Sequence, residues 1–268
     1  MNILVTLDSN YIYPLCVMLH SLAKTNPDSH FDIYVAYSSL TDDDFGLMKR
    51  ALTGTSADIH KIFVSDDMFN NAPVLDRLSK ATYYRLLIGD ILPEDVHKIL
   101  YIDPDTVINQ KLDEFYNIDL SDHVLAGGVH LFGFLEKINL MRLGMKKTSR
   151  YINAGVLLIN LDKWRQTVTL DRIFDFITKN IKKLLLADQD VINVLFENHS
   201  LRIDERKYNL DEKTYSAYSS RSAGKNRIDL DWVRSNTTVI HFNGKHKPWR
   251  EKNYGGKLGE FFEKNKDF

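Results

Sequence analysis

Along the first hundred residues, short apolar runs rich in Ile, Val, Leu and Tyr alternate with longer stretches whose apolar positions recur at helical spacing. Runs of about four to eight residues bounded by polar or turn residues read as strands, and the stretches between them as helices. By that rule Asn2 to Thr6, Phe31 to Tyr37, Asp58 to Val64 and His97 to Ile102 are strands. Val17, Leu19 and Leu22 contribute to the apolar face of the helix after the first of them. Thr41, standing before Asp42, Asp43 and Asp44, offers a capping hydroxyl and negative charge where the free amides and macrodipole of a helix start favour both. In the second half, Val124 to Val129, Ala154 to Asn160 and Thr237 to Phe242 read as strands, and Asp162 to Lys179 and Asp188 to Asn198 as helices. Strands alternating with helices predict βαβ units, and so an α/β fold with a mixed, mostly parallel central sheet flanked by helices. No Pro/Gly/Ser-rich linker, internal repeat or low-complexity tract divides the chain, so residues 1–268 are expected to form a single domain.

Composition narrows the classes. With 44% hydrophobic and 11% aromatic residues, the chain has material for a sizeable core and is not expected to be disordered. Thirty-five basic against thirty-six acidic residues give a net charge of -1, without the basic tract by which a sequence-independent nucleic-acid binder displaces counterions. The lone Cys16 sits in an apolar stretch, reads as a small buried hydrophobe and can form no internal disulfide, which fits a reducing compartment. The amino terminus lacks the basic region and cleavage site of a signal peptide. The apolar stretch Tyr11 to Leu22 is broken by Pro14, His20 and Ser21 and falls short of the ~20 residues that span a bilayer. A cytoplasmic protein is expected, without a transmembrane segment. The stretch Lys257 to Phe268, with Leu258, Phe261 and Phe262 among lysines, reads as a short capping helix, with peripheral contact at the inner face of a membrane as its alternative.

The chemistry concentrates at two strand ends. Asp103-Pro104-Asp105 directly follows the apolar run His97 to Ile102. Ligands of open α/β sheets collect at the carboxyl ends of strands, and residues i and i+2 of an extended chain point the same way. Two converging carboxylates favour a hard divalent cation between them, and Pro104 stiffens the turn; two solvated turn carboxylates are the bland alternative. The second feature, His241-Phe242-Asn243-Gly244-Lys245-His246-Lys247-Pro248-Trp249, reads as an anion cradle: Gly lets the backbone approach a phosphate, Lys supplies charge, and His can ligate a metal. Asp, Asp and His together tilt the choice of ion toward Mn over Ca. For His246 and Trp249 a solvated loop histidine and a packing tryptophan are the simpler readings. The chain has no G-x-G-x-x-G in the first βα turn and no P-loop sequence, which removes the main support for dehydrogenase or P-loop readings.

These two motifs, in order with Thr6-Leu7-Asp8-Ser9-Asn10-Tyr11, Thr82-Tyr83-Tyr84-Arg85-Leu86, the run Tyr151 to Leu161 containing Asn153-Ala154-Gly155, and Asp188-Gln189-Asp190, resemble glycosyltransferase family eight, most of all its bacterial lipooligosaccharide galactosyltransferase-like branch. The resemblance spans nearly the whole chain and implies a GT-A type nucleotide-diphospho-sugar transferase fold. Residues 1–120 would form the nucleotide-sugar and metal-binding half, 121–250 the acceptor side and the completion of the sheet, and 251–268 a capping segment. It implies a retaining enzyme that moves a hexose, glucose or galactose, from a UDP-sugar to a saccharide acceptor such as a cell-surface glycan or lipopolysaccharide precursor. A self-glucosylating enzyme like glycogenin and a non-catalytic UDP-sugar binder remain the alternatives.

Carried over by position, Asp103, Asp105 and His241 would hold Mn or Mg. Thr6, Leu7, Asp8, Asn10, Tyr11, Pro104, Gly244 and Lys247 would bind the nucleotide. Arg85, Asp103, Asn153, Ala154, Gly155, Asp188 and Gln189 would contact the donor sugar. Gln189, with Asp188 as the neighbouring carboxylate, marks the catalytic position; an amide is a poor nucleophile, and same-face attack through a short-lived ion pair is the favoured route. Relatives commonly carry an acidic residue after the strand that here reads Ala126-Gly127-Gly128-Val129. His130 follows it instead, as a candidate acceptor contact with an ordinary loop or core histidine as the alternative.

Overall fold

The computed structural model describes residues 1–65, 83–130, 133–222, 224 and 227–268. Thr82 of the second motif lies outside them. Its central sheet has seven strands: β1 (Asn2–Leu7), β2 (His30–Tyr37), β3 (Ser56–Phe63), β4 (Lys98–Ile102), β6 (Leu125–Val129), β7 (Ile152–Asn160) and β8 (Ser200–Arg202), in the order β3-β2-β1-β4-β7-β6-β8. β3, β2, β1 and β4 run parallel, β7 is antiparallel to β4 and β6, and β8 returns parallel to β6. The side-chain period of two sorts the strands cleanly between the sheet's faces. Leu4, Ile99, Tyr101, Leu157 and Ile159 enter one core with Trp164 and Phe196, while Ile3, Val5, Leu100, Ile102 and Leu158 enter another with Leu15, Met18 and Phe45. A sheet covered on both faces requires the near-continuous apolar runs that mark its strands in the sequence.

The chain leaves β1 toward β2 and β3 on one side and returns to β4 on the other. That reversal of strand order opens a crevice beyond the carboxyl ends of β1 and β4, where Asp8 and Asp103 stand. The helix after β1, Ile12–Thr25, buries Leu15, Met18, Leu19 and Leu22, and Cys16 is buried in the same face, its thiol pushed up to about 12 by desolvation. The helix Asp42–Ala51 starts with a full capping box, Thr41 accepting from the Asp44 amide and Asp44 from the Thr41 amide at 2.8 Å.

The structure departs from the sequence reading in the strand after Thr237 and in the helices after Leu161, and bears out the carboxy-terminal cap. The run Thr237 to Phe242 forms a strand only over β9 (Val239–His241), and it stays out of the main sheet. It pairs antiparallel with β5 (Thr106–Ile108), Thr106 opposite His241, in a two-stranded sheet of its own. β5 and β8, of three residues each, are too short for periodicity to reveal. The helical stretch read near Asp162 to Lys179 is two helices, Leu161–Thr167 and Leu170–Asn180. Val168 between them is extended, and Thr169 caps the second by accepting from the Arg172 amide. The carboxy-terminal stretch folds as the helix Gly259–Glu263, whose Leu258, Phe261 and Phe262 are buried against Phe242 and Ile240. Those side chains pack inward, so they offer nothing to a membrane. No described helix is long and apolar enough to cross one.

Candidate functional site

Asp103 leaves the end of β4, its amide donating to the Gly155 carbonyl of neighbouring β7 at 2.7 Å. Two residues on, Asp105 stands directly before β5, its carbonyl accepting from the Phe242 amide at 2.9 Å, and the β5–β9 pairing sets His241 beside it. The small sheet that the sequence reading assigned to the main one is therefore the device that brings a residue 136 positions away in sequence to the metal-like motif. The Nε2 of His241 lies 3.3 Å from Asp105 Oδ1 and 3.5 Å from Asp103 Oδ2. One ligand atom from each of the three lies within 4.8 Å of the others. A second group of this kind among the described residues, His30, Asp32 and Asp58, stands on the exposed amino-terminal parts of β2 and β3, away from the crevice.

Gly155 explains how three groups can meet there. A Cβ at that position would lie 2.1 Å from His241 Cε1 and 2.5 Å from Asp103 Oδ2. Only the absence of a side chain leaves room for the imidazole and carboxylate together. Asn209 sets the imidazole: its side-chain oxygen faces His241 Nδ1 at 2.9 Å, which places a proton on Nδ1 and turns Nε2 to the carboxylates. Asn209 in turn donates to Asn153 Oδ1 at 3.0 Å, and Asn153 and the Ala154 amide donate to Gln189 Oε1 at 3.1 and 3.0 Å. Burial works against a charge on His241, but Asp105 and Asp103 outweigh it and raise its pKa. Burial also opposes ionisation of Asp105, yet His241 and Lys247 hold its carboxyl at about 2.

Lys247 is buried with its Nζ 2.6 Å from both Asp105 Oδ2 and the Phe242 carbonyl. Its charge thus stands on the carboxylate beside the crevice. Gly244 keeps an open flank, the nearest heavy atom to an added Cβ being 3.9 Å away. Gly244 lines a cleft of about 620 Å³ together with His241, Phe242, Asn243 and Tyr254.

On the other side, Arg85 links three predicted residues. Its Nη1 donates to the Ala154 carbonyl at 2.7 Å, its Nη2 lies 3.1 Å from Asp103 Oδ1, and its Nε lies 2.6 Å from Asp188 Oδ2 in an ion pair too bent to count as a hydrogen bond. The guanidinium also rests over the Tyr101 ring at 4.5 Å. Burial lowers the pKa of Arg85, and the Asp103 and Asp188 carboxylates more than restore it. Desolvation pushes Asp188 up to about 6 against the pull of Arg85. Asp188 begins just after Ala187, which is held at φ 53°, a left-handed conformation that costs a non-glycine residue about 1–3 kcal/mol and persists where the surroundings over-determine it. Asp190 supplies that determination. It accepts from the Leu186 amide at 2.8 Å, from Arg142 through both oxygens at 2.9 Å and from Tyr151 at 2.5 Å.

At the end of β1, Thr6 meets the Tyr101 hydroxyl at 3.1 Å, and Tyr101 donates to Asp103 at 2.6 Å. Leu7 is buried in the apolar core. Asp8 caps the turn Ser9–Tyr11 by accepting from the Asn10 amide at 2.9 Å, and Tyr11 stands edge-on to Trp249 at 6.1 Å. Pro104 is buried between the two aspartates. His130 is buried behind the site, one ring nitrogen 2.5 Å from the Asn209 carbonyl and the other 2.9 Å from the Asn243 amide. Its Nδ1 also lies 3.4 Å from Asp211 Oδ2, so the ring joins Asn209, Asn243 and Asp211.

Asn209, Tyr101 and Arg142 were not singled out in the sequence. Tyr101 carried a signal, since it is two residues before Asp103 on one strand face; Asn209, in a short turn without periodic neighbours, carried none.

The sequence profile described as Glycosyl transferase family 8 matches residues 2–253. General stress protein A of Bacillus subtilis (strain 168) is 25% identical over 267 residues, covering 98% of this chain and 92% of that protein. Lipopolysaccharide 1,2-glucosyltransferase of Escherichia coli is 25% identical over 247 residues, covering 91% and 72%. Among solved structures, the galactosyltransferase LgtC in complex with donor and acceptor sugar analogues superposes with a TM-score of 0.82 at 26% identity, covering 99% of this chain and 95% of that one. The two aspartates, the histidine and the crevice thus lie in a chain that belongs to glycosyl transferase family 8, and the protein is a glycosyltransferase of GT-A type fold.

Proposed function

We propose that this protein transfers glucose or galactose from a UDP-sugar to a saccharide acceptor, with retention of anomeric configuration. The observation that carries the reading is the convergence of Asp103, Asp105 and His241 under Gly155 at the mouth of the crevice. Two carboxylate oxygens and an imidazole nitrogen suit Mn or Mg, and these ligand atoms, within 4.8 Å of one another, are close enough to share one ion. Bound there, the cation would supply Lewis-acid stabilisation of a departing diphosphate. Asn209 keeps the proton on His241 Nδ1, so Nε2 is the nitrogen offered to the ion. An Asn209→Ala enzyme is therefore expected to bind Mn about 10- to 100-fold more weakly, read by calorimetry on protein of unchanged circular dichroism; unchanged affinity would remove Asn209 from the account.

Thr6, the backbone of Leu7, Asp8, Asn10, Tyr11 and Pro104 are assigned to the nucleoside, and Gly244 and Lys247 to the diphosphate. Arg85, Asn153, Ala154, Gly155, Asp188 and Gln189 are assigned to the donor sugar. The hydrogen bonds of Gln189 Oε1 to β7 and the ion pair of Asp188 with Arg85 leave neither group poised as a free nucleophile. That favours same-face attack over a double displacement, which needs an available carboxylate opposite the leaving group. The saccharide acceptor, of lipopolysaccharide-precursor type, is supported by the lipopolysaccharide glucosyltransferase similarity.

A panel of UDP- and ADP-sugars, each with and without Mn, tests the reading by nucleotide release and thermal protection. UDP-glucose or UDP-galactose is expected to give metal-dependent release and to raise the midpoint of unfolding. Stabilisation by ADP-sugars alone would overturn it, and added hexoses in the intact mass would point instead to self-glycosylation.

A further inference from the structure

The helix Phe134–Leu143 carries two apolar stripes on opposite sides. Leu140 and Leu143 face the core, while Phe134, Ile138 and Met141, at i, i+4 and i+7, face outward with Leu135. Phe134 is 76% and Met141 77% exposed. The segment before the catalytic helix Ala187–Leu195 adds Leu185, 69% exposed, and Leu186. Arg142 ties the two segments together, donating to the Lys183 carbonyl and to both oxygens of Asp190. A soluble surface rarely gathers this much exposed large apolar side chain without a partner.

Charge identifies the partner. Residues 133–151 and 179–186 contain eight Lys and Arg residues against one acid, Glu136, in a chain whose net charge is -1; of the eight, Arg142, Arg150 and Lys179 pair with Asp190, Glu136 and Asp175. Glu136 itself is buried and turned to the Tyr151 amide. Lysines are depleted from protein–protein interface cores, whereas exposed apolar side chains on segments with an excess of lysines match a bilayer of anionic headgroups: the apolar residues enter the headgroup boundary and the cations pair with lipid phosphates. The patch ends at Leu186, two residues before Asp188 and three before Gln189.

We infer that this face seats the protein on the anionic surface of a lipid bilayer and presents the crevice to a saccharide carried on lipid. The second clause rests on the proposed function; the binding itself does not. The test is co-sedimentation of the full chain with phosphatidylcholine vesicles, with and without phosphatidylglycerol. Wild-type protein is expected to pellet only with the anionic vesicles, and less at high salt. The exposed substitutions Phe134→Glu and Met141→Glu are expected to cut that partitioning roughly tenfold or more, while UDP-sugar hydrolysis stays at the wild-type rate. Vesicle binding that is absent, or indifferent to both substitutions, overturns the inference. So does a dimer in sedimentation velocity that the same substitutions convert to monomer, because the face then belongs to a second copy. Loss of hydrolysis in the wild-type protein would count against the proposed function, and vesicle binding would still be read separately.

Discussion

An Asp105→Asn enzyme is expected to turn over about 100 to 1,000 times more slowly than wild type, the range for removing a preorganised electrostatic contact to developing charge. The amide keeps the size of the carboxylate but removes the anion that His241 and Lys247 share. His241 and Lys247 hold the acid below its ordinary range in the folded protein, so the comparison is made near neutral pH, where the wild-type carboxyl is ionised. Breaking a buried ion pair also leaves Lys247 without its partner, a change that costs several kcal/mol in buried settings. Turnover is therefore read with Mn affinity and with the unfolding midpoint, and at a temperature where the variant is folded. A folded Asp105→Asn enzyme with full Mn-dependent activity would refute the assignment of this carboxylate.

Gly155→Ala is the second large effect, expected to lower turnover by about 100-fold or more through loss of the same electrostatic contact. The added methyl would fall 2.1 Å from His241 Cε1, well inside contact distance. The ring cannot swing aside without losing Asn209, which is itself tied through Asn153 to Gln189. Overpacking of this kind typically costs about 1–3 kcal/mol of stability, so the variant should fold with a lowered unfolding midpoint and weakened Mn binding. Wild-type turnover in Gly155→Ala would show that His241 and Asp103 need not approach each other.

These two positions also show what could be read from residues alone. The β1–β4 core was legible because strands covered on both faces must be apolar throughout, and Asp103 and Asp105 stood out because ligands of open α/β sheets collect at strand ends, although only the family resemblance separated them from two solvated turn carboxylates. The placement of His241 was not. It depends on pairing between two three-residue strands, β5 and β9, too short for any periodic signal, and the longer run from Thr237 suggested a place in the main sheet. Likewise Asp188 and Gln189 stood out by motif, but the strained Ala187 before them and the Asp190–Arg142–Tyr151 network that holds it depend on contacts 39 and 48 residues apart. Buried polar networks are set by three-dimensional neighbours, and single-sequence patterns record only local ones. The carboxy-terminal aromatics carried the opposite ambiguity: apolar residues among lysines suit a membrane edge or a cap, and only their packing against Phe242 decides it.

The most direct test of the central claim is anomalous diffraction at the manganese edge from crystals grown with Mn and UDP. The account predicts one strong peak about 2.0–2.3 Å from an oxygen of Asp103, an oxygen of Asp105 and Nε2 of His241, with diphosphate oxygens completing its shell. A peak at His30, Asp32 and Asp58 instead, or UDP bound in the crevice with no ion between these three side chains, would contradict it.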